Sequence, residues 1–249
     1  MTRYLAATLA MGLALAGPAH SFDLNAMSDA EREAFRAEIR AYLLENPEVI
    51  MEAVAVLEQR EAAQQAQSDA SMIAANSDAL FNDPNSWVGG NPEGDVTLVE
   101  FVDYRCGYCR KAHDEVAELI KSDGNIRFIV KDFPILGEAS TDSAKFAIAV
   151  RQIAGDDAYH AAGEALIRLK GNPEEPVLRR LAGTLGLDAD EVIERMDSDE
   201  VAVVIAANHA LGQQLSINGT PTFVLGDQML RGYLPLAGMR RLVEETRAE

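Results

Sequence analysis

The sequence predicts an α/β domain that carries a long helical insertion and is preceded by a helical arm. Three observations carry this. A β-rich run, Val96–Val102, passes into a helical stretch from Cys106 to about Lys121 and then into a second run, Ile126–Val130, which is the pattern of a βαβ unit. Residues from about 139 to 215 then read almost wholly as helix, and residues 24–76, before the first strand, also keep a helical period.

The elements follow in chain order. Met1-Thr2-Arg3 is a short basic start, Leu5–Ala16 is apolar and uncharged, Gly17-Pro18 breaks it, and Ala19-His20-Ser21 offers small residues for cleavage. This is the layout of a secretory signal peptide over residues 1–21, too short for a bilayer span. It predicts export of the remaining chain into an oxidising compartment. Ser28 and Glu31 fit a capping box, and Phe35, Ile39, Tyr42 and Leu43 then share one helical face. Asn46-Pro47 interrupts, and a second helix follows with Val49, Ile50, Ala53, Val54 and Leu57 on its apolar side. Such a hairpin cannot bury its face alone, so residues 22–76 are expected to pack on the main domain or on another subunit.

From residue 77 to 249 the grammar is that of one domain. Gly89-Gly90-Asn91-Pro92 reads as a turn. Val96–Val102 is apolar on both faces, as in a buried central strand. Gly124-Asn125 closes the following helix. Gly155, Gly171-Asn172-Pro173, Gly186-Leu187-Asp188 and Gly212 are the expected breaks in the helical block. Thr222–Leu225 and Gln228–Arg231 flank a Gly226-Asp227 turn as a hairpin, and Leu234–Arg247 closes the chain as a helix.

Composition removes several function classes. There are 22 basic residues against 40 acidic, a net charge of −18. A chain this acidic does not hold a phosphate backbone by bulk electrostatics, which argues against nucleic acid as a partner. With 48% hydrophobic residues the chain can build a core, and its two cysteines are too few for a disulfide-stapled scaffold.

Those cysteines carry the chemistry. Cys106-Gly107-Tyr108-Cys109 stands where a buried strand gives way to a helix. A thiol at a helix N-terminus faces unpaired N–H groups and the positive end of the dipole, which favour the thiolate. Cys106 is therefore expected to face outward and attack, with Cys109 as the shielded resolving partner. A purely structural disulfide would close a four-residue ring and stabilise little. A closed zinc site wants four ligands, and His113 is the nearest further candidate. Gly219-Thr220-Pro221-Thr222-Phe223 is the second feature, because a proline opening a strand cannot donate to the ladder.

Strand, CxxC at a helix start, βαβ and ββα units with a Thr-Pro step between them resemble the thioredoxin fold. That family's proline is cis and packs against the CxxC, and the backbone of the preceding residue binds extended substrate as an added strand. The resemblance thus implies substrate binding at Thr220 and Pro221, beside the exposed Gly107 and Tyr108. The helical block resembles the insertion of the DsbA-type branch, and Phe101–Cys109 matches its approach to the active site. Arg40-Ala41-Tyr42-Leu43-Leu44-Glu45-Asn46-Pro47-Glu48-Val49-Ile50 is similar to the N-terminal domain of the suppressor-of-copper-sensitivity protein C (ScsC) group.

That group implies a periplasmic thiol–disulfide oxidoreductase acting on unfolded or misoxidised exported proteins. It also implies a thioredoxin-like fold with a large helical insertion, an N-terminal helical oligomerisation arm that often forms trimers, and a membrane reductase as redox partner. No cofactor is implied beyond the Cys106–Cys109 disulfide. Copper is the alternative ligand, suggested by the family name and by no residue here. Gly107-Tyr108 with Thr220 resembles the isomerase combination of DsbC-type proteins, which favours isomerase or reductase over a DsbA-like dithiol oxidase. Gly at 107 departs from the Pro usual in ScsC proteins. Glu100, six residues before Cys106, is the third catalytic candidate, as a buried carboxyl able to exchange a proton with Cys109. Lys131 is the weaker candidate for its charge partner. Met229, His160 and His209 are expected in the core or on the surface rather than on a metal.

Overall fold

The structure is a computed structural model that describes residues 26–248. The signal peptide expected over residues 1–21 lies outside the described residues. The described chain divides into two compact units, one ending at Gln59 and one beginning at Arg60.

In the first unit, helix α1 (Asp29–Glu45) opens with the expected capping box. The Ser28 hydroxyl accepts the Glu31 N–H, and the Glu31 carboxylate accepts the Ser28 N–H at 2.8 Å. Asn46 closes α1, and its N–H returns to the Tyr42 carbonyl. Helix α2 spans Glu48–Ala75. No residue of α1 is buried, and Ile39, Tyr42, Leu44, Ile50, Met51 and Leu57 are exposed. A unit this small has too little surface to bury such a face within itself.

The second unit is built on a five-stranded mixed sheet in the order β1-β3-β2-β4-β5. Its strands are β1 (Trp87–Gly90), β2 (Val96–Val102), β3 (Ile126–Asp132), β4 (Thr222–Leu225) and β5 (Gln228–Arg231). Only β2 and β3 pair in parallel, and β1 pairs antiparallel to β3 at one edge. The expected turn at Gly89-Gly90 is therefore partly strand. β2 lies at the centre, as its two-sided apolar sequence requires.

Alternation along β2 assigns its faces. Leu98 packs with α4 (Gly107–Asp123) and α9 (Leu236–Ala248), whereas Val99 and Phe101 pack against Leu80 of α3 (Ser77–Phe81) and Leu211 of α8 (Asp199–Gln214). The end of α2 is pinned to β5, because the Arg231 guanidinium grips Asp69 with two bonds of 2.7 and 2.8 Å.

The insertion holds α5 (Glu138–Ile167), α6 (Glu175–Thr184), α7 (Ala189–Met196) and α8. Its breaks fall at the expected glycines, with two exceptions. Gly155 (φ 83°, ψ −169°) kinks α5, a conformation open to glycine. Gly212 does not break α8. A Cβ there would lie 2.5 Å from the Phe133 ring, so glycine serves a close approach. A further break at Asp197-Ser198 starts α8, where the Ser198 hydroxyl caps the Val201 N–H.

Candidate active site

Strand β2 delivers the chain to Asp103, which builds the turn before the cysteines. Its carbonyl accepts the Cys106 N–H at 3.0 Å, and its carboxylate accepts the N–H groups of Arg105 (2.8 Å), Ile135 (2.9 Å) and Leu136 (3.2 Å). Cys106 is thereby fixed as the N-cap of α4, with its carbonyl taking the first helical bond from Arg110 N–H. Gly107 and Tyr108 stand exposed on the first turn, and Cys109 turns inward. Both cysteines are free thiols.

Cys106 is more covered than a thiol facing outward from a helix tip would be: 7% exposed, against 1% for Cys109. The cover is the segment before β4. Thr220–Pro221 is a cis peptide, and the Cys106 thiol donates to the Thr220 carbonyl at 3.1 Å. The fold thus brings residues 114 apart in sequence into direct contact, with Pro221 buried behind them.

Glu100 is buried on the α4 side of β2, in the wall of a cavity of about 350 Å³. Trp87, Val116, Phe128, Tyr159 and Ile167 supply much of its apolar lining. Burial pushes the Glu100 carboxyl up from 4.5 to about 8. Burial also pushes the Cys109 thiol well above its ordinary value, and the neighbouring Glu100 charge adds to this. The two groups are therefore electrostatically coupled.

Lys131 is not the partner of Glu100. In the register of β2 and β3, Lys131 lies opposite Phe101 while Glu100 lies opposite Val130, so the two side chains leave opposite faces of the sheet. The Lys131 ammonium instead donates to Asp83 (2.9 Å) and to the Ala79 carbonyl (2.6 Å). His113 pairs with Glu164 at 2.6 Å, and both side chains line the cavity. His160 stacks on Trp87, His209 leans on Phe133, and Met229 is buried under the sheet. Among the described residues no group of three or more His, Cys, Asp or Glu is placed to hold a metal ion. A soft ion would meet the two thiols alone, which is short of a closed site.

Two features escaped sequence reasoning. Arg105 and Arg110 flank the cysteines and clamp the loop that follows α5: Arg105 donates to the carbonyls of Leu169 (3.3 Å) and Gly171 (2.8 Å), Arg110 to those of Tyr104 (3.0 Å) and Leu169 (2.9 Å). Behind them Tyr104 donates to Tyr159 (3.4 Å), and Tyr159 to the Asp132 carboxylate (3.0 Å). Burial pushes Asp132 up to about 6. The tyrosines and Asp132 are far apart in the chain, so no local pattern announces them. The cluster of cations around the CxxC was the available signal for the arginines.

A dithiol at a helix tip, set against a cis-proline loop and backed by a buried carboxyl, is equipped for thiol–disulfide exchange. Comparison with known proteins agrees. Residues 97–244 match the DSBA-like thioredoxin domain, and residues 31–64 match the N-terminal domain of copper resistance protein ScsC. A thioredoxin-like oxidoreductase from Silicibacter pomeroyi is 42% identical, with a TM-score of 0.64 over 69% of this chain and 98% of that one. ScsC of Proteus mirabilis in a transitional conformation is 27% identical, with a TM-score of 0.65 over 90% of this chain and 98% of that one. The Na(+)/H(+) antiporter NhaA 1 of Salinispora arenicola is 32% identical over 149 residues; the match covers 58% of this chain but only 22% of the antiporter's length. The chain belongs to the DsbA-like thioredoxin family of thiol–disulfide oxidoreductases, with an ScsC-type N-terminal domain ahead of the redox domain.

Proposed function

We propose that this chain is a periplasmic enzyme that reduces and isomerises disulfides in exported proteins. The observation that carries the reading is the Cys106 thiol at the N-cap of α4, against the Thr220 carbonyl beside cis-Pro221. Cys106 attacks a client disulfide as the thiolate. A mixed disulfide forms and one client sulfur leaves with the bonding electron pair. In isomerisation that client thiolate attacks another client disulfide, and the thiolate this frees attacks the client sulfur of the mixed disulfide, so Cys106 leaves as the thiolate it began as. In reduction Cys109 gives up its proton and attacks Cys106, so two electrons pass to the client and the Cys106–Cys109 disulfide forms.

Thr220 and Pro221 offer backbone to an extended client segment, and Gly107 and Tyr108 border it. Glu100, lifted to about 8, exchanges a proton with Cys109: its ionised fraction accepts the proton when Cys109 attacks and returns it when Cys109 leaves. The exposed apolar face of the first unit is the surface on which copies of the chain assemble, which presents several thiol pairs to one client. The preference for isomerase or reductase over oxidase rests on the likeness of Gly107-Tyr108 and Thr220 to isomerases. A membrane reductase would restore the dithiol.

The test is recovery of a scrambled multi-disulfide substrate. Wild type should restore activity, Cys106→Ser should lose all of it, and Cys109→Ser should accumulate mixed disulfide. Ile39→Asp should lower both the mass by light scattering and the isomerase rate. Failure of wild type to rescue the substrate refutes isomerisation. Rescue by the variant lacking both thiols would mark a holdase instead. The ScsC-type arm motivates a copper reading as well; it requires one Cu(I) bound with loss of two titratable thiols.

A further inference from the structure

The chain is acidic, and many cations of its second unit are neutralised locally. In the second unit Arg151, Arg168, Arg179, Arg231 and Arg247 all sit in ion pairs. The cations around the thiol pair are different. Arg105 and Arg110 spend their donors on carbonyls of Tyr104, Leu169 and Gly171, which orient a guanidinium without cancelling its charge. The Lys111 ammonium lies 4.0 Å over the Tyr233 ring. Lys170 stands exposed between the two residues that Arg105 holds.

Two carboxylates beside these four cations offset part of their charge, Asp103 against Arg110 and Glu115 against Lys111, and leave a cationic excess. Asp103 is 1% exposed and caps three backbone N–H groups. Glu115, one turn along α4 from Lys111, is bound by the Tyr233 hydroxyl (2.6 Å) and the Leu236 N–H (2.5 Å). A molecule of net charge −18 therefore bears a positive rim at its reactive thiol. Tyr108 (63% exposed) and Leu136 (56% exposed) add apolar surface to the same tip.

We propose that Arg105, Arg110, Lys111 and Lys170 select client segments whose cysteine is flanked by Asp or Glu. This rests on the reading of Cys106 as the attacking thiol and names the substrate class for it. The complementarity works at contact range. Screening at physiological salt fades the field of the acidic body within roughly 8 Å, while charges meeting at the rim still interact.

The experiment uses the full dithiol protein and three peptides identical except beside their single cysteine, where they carry Glu, Gln or Lys. Each is supplied as its mixed disulfide with glutathione. Attack by Cys106 on the peptide sulfur releases glutathione; Cys109 then frees the peptide thiol, leaving the protein oxidised by two electrons. The Glu peptide should react about tenfold faster than the Lys peptide in the second-order rate constant of this single turnover, as two or three exposed charge pairs allow. Added salt should shrink that ratio. In Lys111→Glu/Lys170→Glu the ratio should fall to one or below. Equal rates for the Glu and Lys peptides, while the Gln peptide reacts, would overturn the rim and leave exchange standing. An unchanged ratio in the double variant would overturn it too. No release from any peptide would refute exchange at Cys106, and the rim with it.

Discussion

Replacing Glu100 by Gln isolates what one buried carboxyl costs this fold. Burial lifts its pKa from 4.5 to about 8. In the unfolded chain the group ionises above about 4.5, whereas the folded chain keeps the proton until about 8, so the native state binds more protons across that window. The contribution of Glu100 to stability is therefore full below pH 4.5, falls by about 1.4 kcal/mol per pH unit up to about 8, and is flat beyond. Asp132, lifted from 3.8 to about 6, acts with the same sign but is spent by pH 6. Between pH 6 and 8 the loss belongs to Glu100 and amounts to about 3 kcal/mol. Glu100→Gln cannot titrate, so its stability should stay level over that range and exceed wild type at pH 8. Urea unfolding of the reduced proteins at pH 6, 7 and 8, compared at equal m-values, measures this. Parallel pH curves for the two proteins would refute the burial argument.

Three further outcomes are expected. Lys131→Met leaves Asp83 without its buried cation and should cost about 3 kcal/mol in chemical denaturation. Gly212→Ala drives a methyl into the Phe133 ring and should cost about 1–3 kcal/mol, seen as a lower urea midpoint. Gly107→Pro should stabilise by about 0.5–1 kcal/mol, because the first helical position tolerates a missing N–H and a Cβ there meets no atom within 4 Å. A fall in its unfolding midpoint would count against this reading of the helix start.

Local signals carried much of the architecture. The capping box at Ser28, the αL stop at Gly124 and the hairpin around Gly226-Asp227 lie where short patterns predict them. The CxxC and the Thr-Pro step are likewise local, and their contact follows from the topology that resemblance supplied. Long-range facts were less legible. β1 exists because β3 offers it an edge, which overrides the turn character of its glycines. Glu100 was readable as a carboxyl inside an apolar strand, but the partner of Lys131 depended on the face each side chain leaves. That parity could be counted only once the register of β2 on β3 was known. The tyrosine–aspartate network joins β3 to α5 through side chains alone and has no sequence period.

Trp87 gives the molecule a built-in optical reporter. It is the sole tryptophan, so selectively excited emission comes from a single place. That place is the sheet edge, where the indole lies parallel to His160 at 5.2 Å, stacks near Tyr159 at 6.0 Å and donates to the Asp156 carbonyl. Three of these contacts come from α5, so undocking of the helical insertion from the sheet changes the colour and yield of the emission. The same ring lines the cavity that reaches Glu100. One fluorescence trace can thus follow both the closure of the insertion and the filling of the space behind the thiols, without a label.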